Sequence, residues 1–155
     1  MAKALWHPLI VHLPLVALLL GTVFSLLGYF IKQKGWQYAT TVLLLVGVIG
    51  IWSAYITGEW ADAEVARDLC DPTQLKDHEN NGFTAAVLFS IAAFVNLVNY
   101  FNLIFLPHKL VKGLNLILLA IGCYFLIITG HDGASLVYEQ GAAVHHPTEN
   151  CAEFE

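Results

Sequence analysis

Charge is what this sequence has least of. Only 12% of its 155 residues are Asp, Glu, Lys or Arg, against 57% apolar residues and a mean hydropathy of +0.65. So few charges leave too little polar surface for an ordinary soluble domain. The charges are also absent in blocks. None occurs from Ala4 to Ile31, from Gly35 to Gly58, from Asn80 to His108, or from Gly113 to His131. Each gap matches the ~20 residues a helix needs to cross the hydrocarbon core. Sulfur is scarce too. A single Met disfavours a thioether copper site, three Cys cannot hold an iron–sulfur cluster, and the lack of C-x-x-C-H excludes a c-type haem. No phosphate loop, nucleophile motif or basic surface for nucleic acid is found.

What is present then predicts an all-α integral membrane four-helix bundle, a single domain over residues 1–155. Its helices are expected at about 8–31, 38–58, 82–106 and 113–130, with an outer loop between helices two and three and an extramembrane tail over 131–155. The first segment is expected to stay in the mature protein. It has only Lys3 as a basic n-region and runs too long for the apolar core of a signal peptide.

The short connections one and three carry Lys32, Lys34, Lys109 and Lys112 and no acid. All 12 acidic residues lie between Glu59 and Glu79 or between Asp132 and Glu155. Basic residues in short loops mark the cytoplasmic side, so both termini and the long second connection are expected outside. In a Gram-negative cell that outer side is the periplasmic face of the inner membrane. Trp6, Tyr29, Trp36, Tyr38, Trp60 and Tyr100 near helix ends read as interfacial anchors.

Under this topology six of seven histidines converge on the outer rim. His7 and His12 open helix one, His78 precedes helix three, His131 ends helix four, and His145 and His146 follow in the tail. His108 alone falls inside, as a loop residue. Five residues turn a helix by ~500°, so the His7 and His12 rings point ~140° apart and serve different partners. Pro14 should bend helix one beside His12. Polar rings in a membrane are costly and usually have a task, which ranks His12 first as a ligand; hydrogen bonding to a neighbouring helix is the plainer alternative.

His7, His12, His78 and His131 are therefore the candidate axial ligands of haem iron, one or two haem b groups held by imidazoles from different helices. Gly21, Gly47, Gly50, Gly122 and Gly130 could admit a flat macrocycle or simply let helices approach. Zinc held by histidine and carboxylate stays open, because Asp77, Glu79 and Asp132 adjoin His78 and His131. Asn96, Asn99 and Asn102 recur toward the inner end of helix three, where interhelical hydrogen bonding is the expected role. Cys70 and Cys151, both on the oxidising side, are candidates for a disulfide; Cys123 reads as a packing residue.

Two stretches carry a resemblance. "HPLIVHLPLVALLL" and "GHDGASLVYEQGAAV" resemble the paired signatures of the bacterial membrane family catalogued as domain of unknown function 2231. His7, Pro8, Val11, His12 and Pro14 fit the first signature, with Leu13 where Phe is usual. Gly130, Gly133, Leu136, Val137, Tyr138, Gly141 and Val144 fit the second, with Ala134 where Gly is usual, and His78 resembles a family histidine. The resemblance implies a four-helix membrane protein that occurs with redox proteins such as cytochromes.

The leading functional expectation is a b-type cytochrome passing electrons at the outer face, as a subunit of a larger membrane redox complex. Its acidic rim suits a basic soluble electron carrier such as cytochrome c. A cofactor-free accessory subunit and an outer-face zinc or copper protein are the alternatives. No catalytic residues stand out.

Overall fold

In the computed structural model, residues 5–31, 33–103 and 105–144 are described. All their regular structure is helical: α1 (Trp6–Ile10), α2 (His12–Phe30), α3 (Lys34–Val65), α4 (Pro72–Tyr100) and α5 (His108–Tyr138). Helices α1 and α2 form one span, Trp6–Phe30, and this span with α3, α4 and α5 makes four helices long and apolar enough to cross a membrane. At 1.5 Å per residue, each is longer than the ~30 Å core.

The interruption between α1 and α2 falls at Val11, whose φ and ψ stay helical. Pro14 has no N–H to give to the Ile10 carbonyl, so the ladder loses a rung there. The proline ring is buried against α3, where a methyl group on Gly50 would stand 3.0 Å from Pro14 Cβ.

The expected spans hold at their centres and fall short at their ends. Helix α3 runs on to Val65, and α5 runs on to Tyr138, through the start of the expected tail. The expected outer loop is mostly helix, and only 66–71 joins α3 to α4. Loss of hydropathy ends a membrane crossing, but Ala, Glu and Val keep a helix going once it has left the bilayer. Helix α4 starts properly capped: Asp71 accepts from Thr73 N–H at 3.0 Å and from the Thr73 hydroxyl, with Pro72 in the first turn. Those bonds hold the Asp71 carboxyl below its ordinary pKa.

The bundle is inside-out by soluble standards. Its centre is small: Leu18, Leu44, Phe89 and Leu119 are fully buried, with Ala85, Ala86 and Ala92 between them. Large apolar side chains lie outside, Ile49 at 70% exposure and Ile127 at 67%. Such a surface is stable only against lipid. The buried polar groups hold helices together: Asn96 Nδ2 donates to Thr41 Oγ1 at 2.7 Å, and Trp52 Nε1 to Ser90 Oγ at 3.0 Å.

Two helical hairpins build the bundle, the first span with α3 and α4 with α5, and the second repeats the first. Leu18 packs on Gly47, where an added methyl would collide with Leu18 Cδ2; Phe89 packs on Gly122, where its ring would stand 3.2 Å from an added methyl. The interval from His7 to Leu18 equals that from His78 to Phe89. The intervals along Lys34, Thr40, Leu44, Gly47, Ala54 and Gly58 equal those along Lys109, Asn115, Leu119, Gly122, Thr129 and Gly133. Both hairpins start from the same end, so this is a parallel repeat.

Candidate functional site

The repeat brings one histidine from each hairpin to the bundle's acid-bearing end. His7 Nδ1 donates to the Ala54 carbonyl at 2.9 Å, and His78 Nδ1 donates to the Thr129 carbonyl at 2.9 Å. Each ring crosses from the first helix of its hairpin to the second. Each also lies on a glycine one turn beyond the accepting carbonyl. A methyl on Gly58 would stand 3.2 Å from His7 Cε1, and a methyl on Gly133 would stand 3.1 Å from His78 Cε1. A side chain at either position would push the ring off its seat.

A carbonyl only accepts, so each Nδ1 carries the proton. In the neutral ring that leaves the lone pair on Nε2. Metal-binding histidines are oriented in this way, their second nitrogen donating to a carbonyl. The two ring centres are 5.9 Å apart and their planes are 86° to one another. Two imidazoles on opposite sides of one metal, with bonds of ~2 Å, have ring centres roughly 6 Å apart. In donor type and tautomer each ring could hold a metal through Nε2, and the two rings themselves pack edge to face.

The other candidates lie elsewhere. His12 and His131 are exposed. Once His7 faces inward, the ~140° between the rings turns His12 out of the bundle. Of the four candidate histidines the structure brings His7 and His78 into contact. Asp132 accepts from Asn81 Nδ2 at 2.9 Å, so a backbone carbonyl, not this carboxylate, orients His78. Among the described residues no three His, Cys, Asp or Glu side chains come together as a metal group. A structural zinc site needs four protein ligands and a catalytic one three, whereas haem needs two.

Gly21, Gly47, Gly50 and Gly122 serve close packing against Leu44, Leu18, Pro14 and Phe89, while a methyl on Gly130 would meet no neighbouring helix within 4 Å among the described residues. Of the glycines at the histidines, Gly58 is not singled out in the sequence and Gly133 enters only through the second family signature. The duplicated spacing of Thr40/Asn115, Leu44/Leu119, Gly47/Gly122 and Gly58/Gly133 was the signal that could have found them. Asn96 reaches Thr41 on α3 as expected of an interhelical asparagine, and Asn99 Oδ1 accepts from His108 Nδ1 at 2.8 Å. Cys70 is exposed with a free thiol and Cys123 is half-buried. Cys151, the other half of the expected disulfide, lies outside the described residues, as do His145 and His146.

No curated protein and no solved structure matches this chain. The family described as a predicted membrane protein, domain of unknown function 2231, matches it over residues 5–146, and with nearly the whole chain covered the protein belongs to that family.

Proposed function

We propose that this protein is a membrane-embedded b-type cytochrome whose haem iron is held by His7 and His78. One observation carries the reading: two imidazoles from different hairpins, each with Nδ1 tied to a carbonyl, stand 5.9 Å apart. A bound haem would supply a one-electron couple; the chain supplies orientation and enclosure. Ala54 and Thr129 fix the two tautomers, Gly58 and Gly133 set ring depth, and the surrounding apolar helices set the dielectric. With one such pair, the reading is one haem per chain. His12 and His131, being exposed, have no ligand role in it.

The lysine-bearing end is cytoplasmic in this proposal, which places the histidine end at the periplasmic face of the inner membrane. The acids around it, Glu59, Asp62, Glu79 and Asp132 among them, would draw a basic soluble carrier, and a larger redox complex would supply the other electron partner. Protein purified from haem-replete cells should show a reduced-minus-oxidised spectrum of a low-spin b-type haem at one per chain. Protein free of haem under those conditions would overturn the reading.

A second reading rests on the same hydrogen bonds. His7 and His78 each tie the two helices of a hairpin, which a cofactor-free accessory subunit would also use. In that case His78→Gln, which can still donate to the Thr129 carbonyl, would be functionally silent; the cytochrome reading requires it to change the spectrum.

A further inference from the structure

The end of the bundle away from the histidines carries a second polar site. Between the starts of α3 and α5 lies an open groove of about 770 Å³ lined by Lys34, Tyr38, Tyr100, Asn102, His108 and Lys112. No carboxylate lines it, and the sequence has no Asp or Glu before Glu59 or between Asn80 and His131. Helices α3 and α5 both begin here, without an acidic residue in the first turn and without a side-chain cap at either N-terminus. Lysines at the positive end of a helix dipole are unfavourable unless an anion joins them. Lys34, Lys112 and the uncapped starts of two helices thus border one concavity with no carboxylate among its described lining residues.

The groove leads inward to a narrower cleft, with which it shares Gln37, Asn99 and Lys112. The cleft has about 20 Å³ of free space, enough for one water-sized group. It is lined by Ser25, Asn96, Thr40 and Asn115. Thr40 and Asn115 occupy equivalent positions in the two hairpins, at 2% and 3% exposure. Neither Thr40 Oγ1 nor Asn115 Oδ1 has a hydrogen-bond partner. Buried oxygens of this kind cost free energy until a hydroxyl or water donates to them.

We propose that this end binds the head group of an anionic phospholipid: its phosphate in the groove between Lys34 and Lys112, and a head-group hydroxyl in the cleft against Thr40 and Asn115. The chemistry required is a phosphodiester with a free hydroxyl nearby, as in a glycerol head group, presented at the depth where membrane lipids hold it. Tyr38 and Tyr100 line the groove near helix ends, the positions where aromatic rings favour the membrane interface. Basic pockets between membrane helices on the cytoplasmic side are known to take such groups.

The test uses the full chain in neutral detergent, with native mass spectrometry for retained lipid and thermal unfolding for stability. The probes are phosphatidylglycerol, phosphatidic acid, phosphatidylcholine and inorganic phosphate. Phosphatidylglycerol should bind best, and phosphatidic acid, which lacks the extra hydroxyl, less. Phosphatidylcholine and inorganic phosphate should give little. Each lysine near an anionic lipid is worth roughly five-fold in affinity. Lys34→Gln with Lys112→Gln should therefore remove most of the preference for phosphatidylglycerol over phosphatidylcholine, with unchanged unfolding in phosphatidylcholine as the control for folding. Asn115→Leu should remove the preference for phosphatidylglycerol over phosphatidic acid. Equal retention of phosphatidylglycerol and phosphatidylcholine would overturn the site. Equal retention of the two anionic lipids would overturn the head-group assignment, and equal protection by inorganic phosphate would overturn the lipid as source.

Discussion

Replacing Gly47 with Ala puts one methyl group where the first hairpin is tightest. The new Cβ would collide with Leu18 Cδ2 and stand 2.6 Å from Leu18 Cγ and 3.3 Å from Leu18 N. Carbon atoms rest at about 3.5–4.0 Å, so the leucine must retreat by about an ångström or more. It has nowhere to go, because Leu18 is fully buried within the central cluster. The backbone nitrogen behind it means that the helices themselves must part. Overpacking of this kind costs about 1–3 kcal/mol. The gain in helix propensity, ~1 kcal/mol in water, offsets little when the denatured state in detergent keeps its helices. The same change at Gly122 meets only the edge of the Phe89 ring at 3.2 Å and should cost less, and Gly130→Ala meets nothing within 4 Å and should be neutral. Unfolding by graded sodium dodecyl sulfate in mixed micelles, followed by tryptophan fluorescence, gives the ranking. If Gly47→Ala proved as stable as Gly130→Ala, the Leu18–Gly47 contact, and with it the duplicated hairpin geometry, would be wrong.

Other changes probe other parts of the structure. Asn96→Ala should lose about 0.6 kcal/mol, and up to ~2 kcal/mol, in the same titration, the usual range for an interhelical side-chain bond in a membrane. Thr41→Val should cost a similar amount by removing the other partner. The Asp71 cap gives a pH signature. Its carboxyl pKa is lowered by folding, so its contribution is complete above the ordinary carboxylate range and is lost as pH falls through the depressed value. Asp71→Ala should therefore lower the unfolding midpoint at neutral pH, and the gap to the unmodified protein should close in strong acid; a gap constant with pH would contradict the cap. With haem held by His78 as proposed, Gly133→Ala should move the ring without removing it, altering the haem spectrum while leaving haem content unchanged.

How much of this was legible in the sequence follows from the physics of each signal. Charge-free blocks of bilayer length fixed the four spans, because a charge in the hydrocarbon core is costly whatever surrounds it. Helix ends were misjudged at Val65 and Tyr138 because hydropathy reports the membrane and not the hydrogen-bond ladder. The histidine-rich rim was visible, and so was the angle separating His7 from His12. Which of the two faces inward was not, since that depends on how the first span rotates to seat Pro14 on Gly50 and Leu18 on Gly47. Depth in the membrane favoured His12; the packing chose His7. The lysines of the short connections were read only as an orientation signal. The groove they share with Tyr38, Tyr100 and His108 arises from helix ends far apart in sequence.

The measurement that tests the central claim most directly is the reduced-minus-oxidised spectrum, with haem content, of four single variants purified alongside the unmodified protein. His7→Ala and His78→Ala should each abolish the low-spin signal or convert it to high spin, because the proposed function assigns each of them one bond to the haem iron. His12→Ala and His131→Ala, at exposed positions, should leave both spectrum and content unchanged. Loss of the signal on replacing His12 or His131, or its survival without His7 or His78, would contradict the account.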